Sequence, residues 1–267
     1  MAKEIKIAEN EKREIDFSGK SGDFAIQLAQ GAQATILDLA QGNSRNLRQK
    51  IILGKNSRLT MVSIQNQGAD SDSKTERKIA CTENSEVHFF SANLGGKISA
   101  EVREIHLQGK GAKLFDNEIF FGTMNQHFQN NTAVFHEGAN TFSRITVKGL
   151  LGGVSSADYL GLVKIEKSAL NSDTFLAQHT LLLDTGAKAE MNPNLEIENS
   201  EIKAGHSASA SKISEDDLFY LQSRGIPKTK AATLLASGFL AQVIEKFPKF
   251  SSEIESFMQR KWGAKNV

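Results

Sequence analysis

ISAEVREIHLQGKGAKLFDNEIFFG, residues 98–122, holds two strand-like runs on either side of one corner. Side chains in ISAEVREIHL alternate with a period of two, the repeat of an extended strand and not of a helix. Glu101 and Arg103 therefore share one face, and such charged alternation reads as the solvent side of a strand. At Gly111-Ala112 a glycine accepts the positive φ of a sharp corner, and the small residue beside it lets a neighbouring segment come close. NEIFFG then opens the next strand.

The same reading extends outward from about Glu4 to Lys203, through EIKIAEN, REIDFSG, FAIQLAQ, ATILDLA, RLTMVSI, EVHFFSA, RITVKG, LVKIEK and LEIEN. Corners of the Gly-or-Asn plus small-residue type recur at Gly31-Ala32, Asn56-Ser57, Asn84-Ser85, Gly111-Ala112, Gly138-Ala139 and Gly186-Ala187, the first five being 25, 28, 27 and 27 residues apart. A repeat of that length predicts coils stacked around one continuous core, a β-solenoid. A β-sandwich has a similar density of turns and remains the competing architecture. The polar run DSDSKTERK, 70–78, reads as a loop between coils. NQHFQNN, 125–131, reads as a turn or an amide ladder between coils, with a ligand-facing polar strip as the other reading.

The chain has 267 residues, 39% of them hydrophobic and 24% charged, enough for a sizeable core in one body plus a small appendage. A formal charge of +1 provides no global field for nucleic acid or an anionic membrane. The single cysteine, Cys81, excludes internal disulfides and thiolate-rich metal sites, and reads as a small buried hydrophobe. MAKEIKIAENEKREIDF resembles neither a secretory signal nor a transit peptide, and no apolar run nears the roughly 18 residues of a membrane helix. A cytoplasmic protein is expected.

Composition changes at His206, which divides a β core, 1–205, from a helical module, 206–267. Ser214 is placed to cap a first helix that stops at Gly225. Pro227 fits the first turn of a second helix with a stripe of Leu234, Leu235, Gly238, Phe239 and Val243 and a stop at Pro248. Ser252 and Glu255 fit a capping box for a third helix bearing Ile254, Phe257 and Met258. Such a module either caps the open end of the solenoid or presents a surface to another protein.

Motifs for chemistry are sparse. The six histidines form no compact ligand pair; His127 and His136, with Glu137 adjacent, are the one couple close enough for a coiled chain to bring together on a metal. GLLGG at 149–153 lacks the lysine of a phosphate loop, so it reads as a corner or close-packing element, and GVSS at 153–156 is no nucleophile elbow. Glu101, Arg103 and Glu104 permit a polysaccharide-cleaving β-helix as an enzymatic alternative.

The stretch LLLDTGAKAEMNPNLEIENSEIKAGHSASASKISEDDLFYLQSRGI, residues 181–226, closely resembles the tail of the SufB/SufD family of iron–sulfur cluster assembly proteins. The resemblance lies in A-E-x-x-P-x-L-E-I at 189–197, H-x-A-x-x-x-x-I at 206–213 and D-x-L-F-Y-L-x-S-R-G-I ending at 226. QHFQNNTAVFHEGANTFSRITVKGLLGGVSSADYLGLVKI, 126–165, fits the family more loosely.

It implies an all-β fold, a right-handed parallel β-helix followed by a small C-terminal helical module, in a compact member without the family's usual N-terminal region. It also implies a non-enzymatic scaffold, free of bound nucleotide, that pairs through its C-terminal strands and docks a SufC-like ATPase. SufB-type members carry a functional cysteine before the strand preceding A-E-x-x-P, where this chain reads FLAQHTLLLD. The SufD type fits better and makes His179 the expected metal ligand for a transient iron–sulfur cluster shared with a SufB-like partner or a second copy. His206 is a second cluster-binding candidate, while Glu190 and Glu196 suit the coil turn and pairing strand. Leu218, Phe219, Leu221 and Arg224 are expected at the ATPase-docking element, the apolar three also anchoring it to the solenoid end. A structural β-helix interaction protein, as a homodimer without cluster chemistry, is the alternative.

Overall fold

The alternating runs form sixteen strands in a computed structural model that describes residues 2–247 and 249–265. They build two eight-stranded parallel sheets, one from the odd and one from the even strands. The odd sheet runs β1 (Lys3–Ile7), β3 (Gly22–Leu28), β5 (Arg45–Leu53), β7 (Asp72–Cys81), β9 (Ile98–Leu107), β11 (His127–His136), β13 (Ser156–Ile165) and β15 (Lys188–Ile197). The even sheet runs β2 (Lys12–Asp16), β4 (Gln33–Gly42), β6 (Arg58–Gln67), β8 (Glu86–Asn93), β10 (Lys113–Gly122), β12 (Phe142–Leu151), β14 (Asp173–Leu182) and β16 (Lys203–Lys212). Each strand thus pairs with the strand two later, so the chain is a parallel β-solenoid and the sandwich reading falls away.

Registered side chains stack in columns along the solenoid. One inner column reads Ile5, Ile26, Ile51, Ile79, Ile105, Val134, Val163 and Leu195. The next contains Leu53, Cys81 and Leu107. Cys81 occupies a leucine position in the core, and burial pushes its thiol up to about 12.

The corner signal is real, though it is offset in two places. Asn10, Gly31, Asn56, Asn84, Gly111, Asn140 and Asn171 all take φ between 53° and 66° or, at Gly111, 73°. Asn56 N donates to Glu83 O, Asn84 N to Lys110 O and Gly111 N to Ala139 O, each at 2.9 Å, tying each corner to the next coil. The small residues that follow, Ala32, Ser57, Ser85, Ala112, Thr141 and Ser172, are all buried. The corner expected at Gly138-Ala139 is made by Asn140-Thr141, and Gly138 instead lies against Gln108 and Gly109 of the preceding coil. Gly186 lies in the opposite row of corners, close to Gly153 O. GLLGG is a packing and corner element: Gly149 faces the Phe120 ring, and Gly153 has φ +66°.

DSDSKTERK is not a loop, because Asp72–Lys78 opens β7. Its inward residues Ser73, Thr75 and Arg77 are polar and buried, so the usual apolar signal of a strand is missing. NQHFQNN likewise enters β11, where the side chain of Asn130 points into the interior instead of joining a surface ladder.

The boundary expected at 205/206 falls inside β16, whose pairing with β14 carries the solenoid to Lys212. Helices α1 (Glu215–Ser223), α2 (Lys228–Ile244) and α3 (Ser251–Lys265) follow. Ser214 caps α1, its hydroxyl accepting from Asp217 N at 3.2 Å, and Gly225 follows the helix end with φ +80°. Pro227 occupies the cap position of α2, one residue before its first turn, and the stop expected at Pro248 lies outside the described residues. Ser252 falls inside the first turn of α3, so the expected capping box is not formed.

The module does not cap the solenoid end. Ala236, Leu240, Val243 and Ile244 of α2, with Ile254, Met258 and Trp262 of α3, pack on the outer face of the even sheet against Val62, Phe90, Ala92, Ile119, Phe121 and Leu150. The buried stripe of α2 is rotated from the expected one, leaving Leu234 and Gly238 exposed. Lys261 fastens α3 by donating to Leu94 O at 2.7 Å and to Phe121 O; burial brings its ammonium down to about 7.

Candidate functional site

At the C-terminal end of the solenoid, β15 and β16 are the last strands of their sheets. Each offers ten residues of edge backbone with no further strand beside it among the described residues. In β16, KAGHSASASK, small side chains leave that edge accessible. Such an edge is a template for pairing with another chain unless charge, proline or a covering element blunts it. Pro193 blunts β15, whereas β16 has no proline.

His179 sits one strand in from this end. On the outer face of the even sheet, Ile64, Ala92, Ile119, Lys148, His179 and Ser209 form one registered column. Its apolar members Ala92 and Ile119 lie in the core beneath the helical module, and its polar members emerge toward the open end. Lys148 Nζ donates to Phe239 O at 2.7 Å and to Gln242 Oε1 at 2.8 Å of α2. His179 Nδ1 lies 2.7 Å from Ser209 Oγ, and Nε2 lies 3.1 Å from Ser207 Oγ. Burial, then the Lys148 charge, holds the imidazole below its ordinary pKa. A neutral imidazole is the form that binds metal. The two serines on β16 orient the ring from the edge strand.

His206 does not join it. His206 is registered with Leu176, on the inward-facing parity of the sheet, whereas His179 is on the outward parity. The two proposed ligands are on opposite faces. His127 and His136 are separated in the same way: His127 contacts Ser156 Oγ at 2.7 Å on the outside. His136 is buried between Thr141 and Ser143, where burial lowers its pKa to about 4. Glu190 and Glu196 are exposed on β15. Among the described residues no three His, Cys, Asp or Glu side chains gather around a common point.

In the helical module, Leu218 is buried and Leu221 is half-buried. Phe219 is 73% exposed, so it does not anchor the module to the solenoid. Tyr220 is 58% exposed with the Arg224 guanidinium 5.3 Å from its ring centre, forming an outward aromatic and cationic ridge.

The family model "SUF system FeS cluster assembly, SufBD core domain" matches residues 10–239. The chain belongs to the SufBD core-domain family. It is 28% identical over 199 residues to the iron–sulfur cluster assembly protein SufB of Bacillus subtilis, covering 74% of this chain and 43% of that protein. It is 28% identical over 254 residues to the chloroplastic SufBD family protein ABCI8 of Arabidopsis thaliana, covering 91% of this chain and 44% of that one. Against the SufBD family protein Mb1496 of Mycobacterium bovis it is 27% identical over 199 residues, covering 74% and 24%. The chain thus spans less than half the length of these curated SufBD relatives.

Inside this SufBD solenoid lies a network of buried charged side chains. Glu101 and Arg103 point inward and are buried, so they form neither a solvent face nor a sugar-cleaving site. Arg45 Nη1 and Nη2 grip Asp38 at 2.5 and 3.1 Å. Arg77 bonds Asp38 and Glu101 and donates to Gln49 Oε1 at 2.9 Å and Ser63 Oγ at 3.0 Å. Arg103 holds both Asp116 oxygens at 2.9 and 3.0 Å and bonds Glu118. The guanidiniums of Arg77 and Arg103 lie 5.4 and 4.7 Å from the ring centre of Phe89. The one sequence signal for this on β9 was that Ile105 and Leu107, both apolar, share the parity of Glu101 and Arg103, while Glu104 and His106 fall on the other.

Proposed function

We propose that this chain is a non-enzymatic, SufD-like scaffold subunit for iron–sulfur cluster assembly, pairing through β15 and β16 with a SufB-like partner. The observation that carries this reading is His179, a lowered-pKa imidazole beside the unpaired edge of the last coil. The family match and the SufB name of one relative support the process; the position of His179 supports the role within it. The cluster is cargo shared across the pairing surface. His179 contributes nitrogen, and thiolate comes from the partner, since Cys81 is sealed in the core. His206, on the other face of the last strand, serves the pairing edge in this reading. No described helix is long and apolar enough to cross a membrane.

Anaerobic copurification with SufB-type and SufC-type partners tests the site. His179→Ala is expected to leave the stoichiometry unchanged and to lower bound iron and sulfide by at least about tenfold. Normal iron and sulfide in that variant removes His179 from the mechanism.

Docking of a SufC-type ATPase is assigned to the exposed ridge of Phe219, Tyr220 and Arg224, with Leu218 and Leu221 supporting it from below. Aromatic and arginine anchors dominate interface energies, so Phe219→Ala is expected to weaken ATPase binding by about 2 kcal/mol without changing the unfolding midpoint. Unchanged affinity by calorimetry places the ATPase elsewhere.

A structural homodimer without cluster chemistry is favoured by one observation, the contact of both His179 ring nitrogens with serine hydroxyls. A stable pair that binds the ATPase but carries no iron or sulfide selects that reading.

A further inference from the structure

The solenoid interior contains three guanidinium groups, of Arg45, Arg77 and Arg103, and four carboxyl groups, of Asp38, Glu101, Asp116 and Glu118. Arginine remains protonated in proteins, so four ionised carboxylates would leave one net buried negative charge. An uncompensated buried charge costs several kcal/mol, more than taking up a proton. We propose that the interior binds one proton near neutral pH, and that its seat is Glu118, in the cluster with Arg103, Asp116 and Tyr159.

The distribution of partners narrows the seat to Asp116 and Glu118, the two carboxyls that share Arg103. Asp38 receives Arg45 and Arg77, and Glu101 receives Arg77 with Arg103 Nε 3.7 Å away. Asp116 takes both of its bonds from a single Arg103 nitrogen, Nη1, leaving Glu118 to share the same guanidinium through Nη2. On its own strand Glu118 faces Asp116; from β9 come Glu101 and Arg103, and from β13 the Tyr159 hydroxyl, 3.2 Å away. β8 brings Asn93, β11 brings Asn130 and Thr132, and β12 places Val147 in register. Burial, reinforced by the Glu101 and Asp116 charges, raises Glu118 to about 8 against the lowering pull of Arg103.

The Asn130 contact gives the proton a place. Asn130 Nδ2 lies 2.6 Å from Glu118 Oε1, shorter than ordinary N–H···O bonds and within the O–H···O range. Its Oδ1 has no partner. Exchanging the amide oxygen and nitrogen lets Glu118 Oε1 donate its proton to the Asn130 oxygen at that distance.

Protonated Glu118 binds a proton in the folded state that an unfolded glutamate has lost, from pH 4.5 up to about 8. Its contribution to stability is therefore full below 4.5, declines through that window, and is constant above it. Urea unfolding of wild type and Glu118→Gln across this window is the test. The wild-type unfolding constant is expected to rise by up to about tenfold more per pH unit than that of the variant. Near neutral pH, infrared spectra of the wild type are expected to show one carboxylic-acid C=O stretch per chain that shifts in D2O and is absent from Glu118→Gln. Equal pH slopes, or a wild-type spectrum without that stretch, overturn the proposal. Should the variant fail to fold, the wild-type spectrum decides alone.

Discussion

Arg103→Met is expected to lose about 3–5 kcal/mol of folding stability, the range found when one partner of a buried ion pair is removed. Arg103 is 1% exposed and bonds Asp116 and Glu118 while lying over Phe89. Methionine fills much of the space but provides no donor. Asp116 then loses both of its guanidinium bonds, and Glu118 keeps only amide and hydroxyl partners. Taking up a second proton relieves part of this cost, so the loss is expected to be smaller at acidic pH. Arg103→Lys retains the charge but not the planar fork that serves two carboxyls at once, and should recover less than half. The midpoint of urea unfolding, at unchanged slope, measures both. A loss below 1 kcal/mol for Arg103→Met would show that the network contributes little to stability.

Gly109→Ala is expected to cost about 3 kcal/mol, at the upper end of the range for overpacking. A Cβ at Gly109 would sit 2.0 Å from Glu83 N and 2.1 Å from the Thr82 carbonyl carbon, in the backbone of the previous coil. The coil that follows adds pressure, since Gly138 packs against Gly109. No rotamer relieves this contact, because both sides are main chain. The corner hydrogen bonds from Asn84 N to Lys110 O and from Gly111 N to Ala139 O would have to lengthen together. Gly238→Ala is the contrasting change. Gly238 lies within α2 with no atom within 4 Å of its would-be Cβ, and alanine there is expected to add about 0.5–1 kcal/mol. Thermal unfolding of both variants checks that the penalty belongs to coil stacking and not to glycine replacement in general.

The stacking explains why the solenoid was legible. Every coil needs one positive-φ corner and a small buried residue after it, and these demands fall on local residue types: Asn56-Ser57, Asn84-Ser85 and Gly111-Ala112 state them openly. The first helix is equally local, with Ser214 capping and Gly225 terminating it. The offset at Gly138 has a specific cause. Glycine also serves positions where coils touch, so a glycine in this solenoid signals either a corner or a contact, and only the neighbouring coil distinguishes them.

The candidate site was half legible. The resemblance in the tail singled out His179 and His206 by position in a motif, but their opposite faces follow from the register of β14 and β16. Likewise, apolar stripes on α2 and α3 announced that the helices pack on something. The outer face of the even sheet was hidden as their partner because Val62, Phe90, Ile119 and Phe121 come from three different coils.

By itself, the sequence determined the β-strands and their repeating corners, the helical tail, the burial of Cys81 and the candidacy of His179, because strand period, corner chemistry and motif are properties of neighbouring residues; the pairing of each strand with the one two later was settled by the structure. Only the tertiary structure decided which parity of β7, β9 and β10 faces inward, since Arg77, Glu101, Arg103, Asp116 and Glu118 become tolerable in a core solely through partners 13 to 39 residues away, with Asp38 the most distant. It also decided where the helices go: they cover the larger apolar face on the flank, and among the described residues no strand lies beside the last coil near His179.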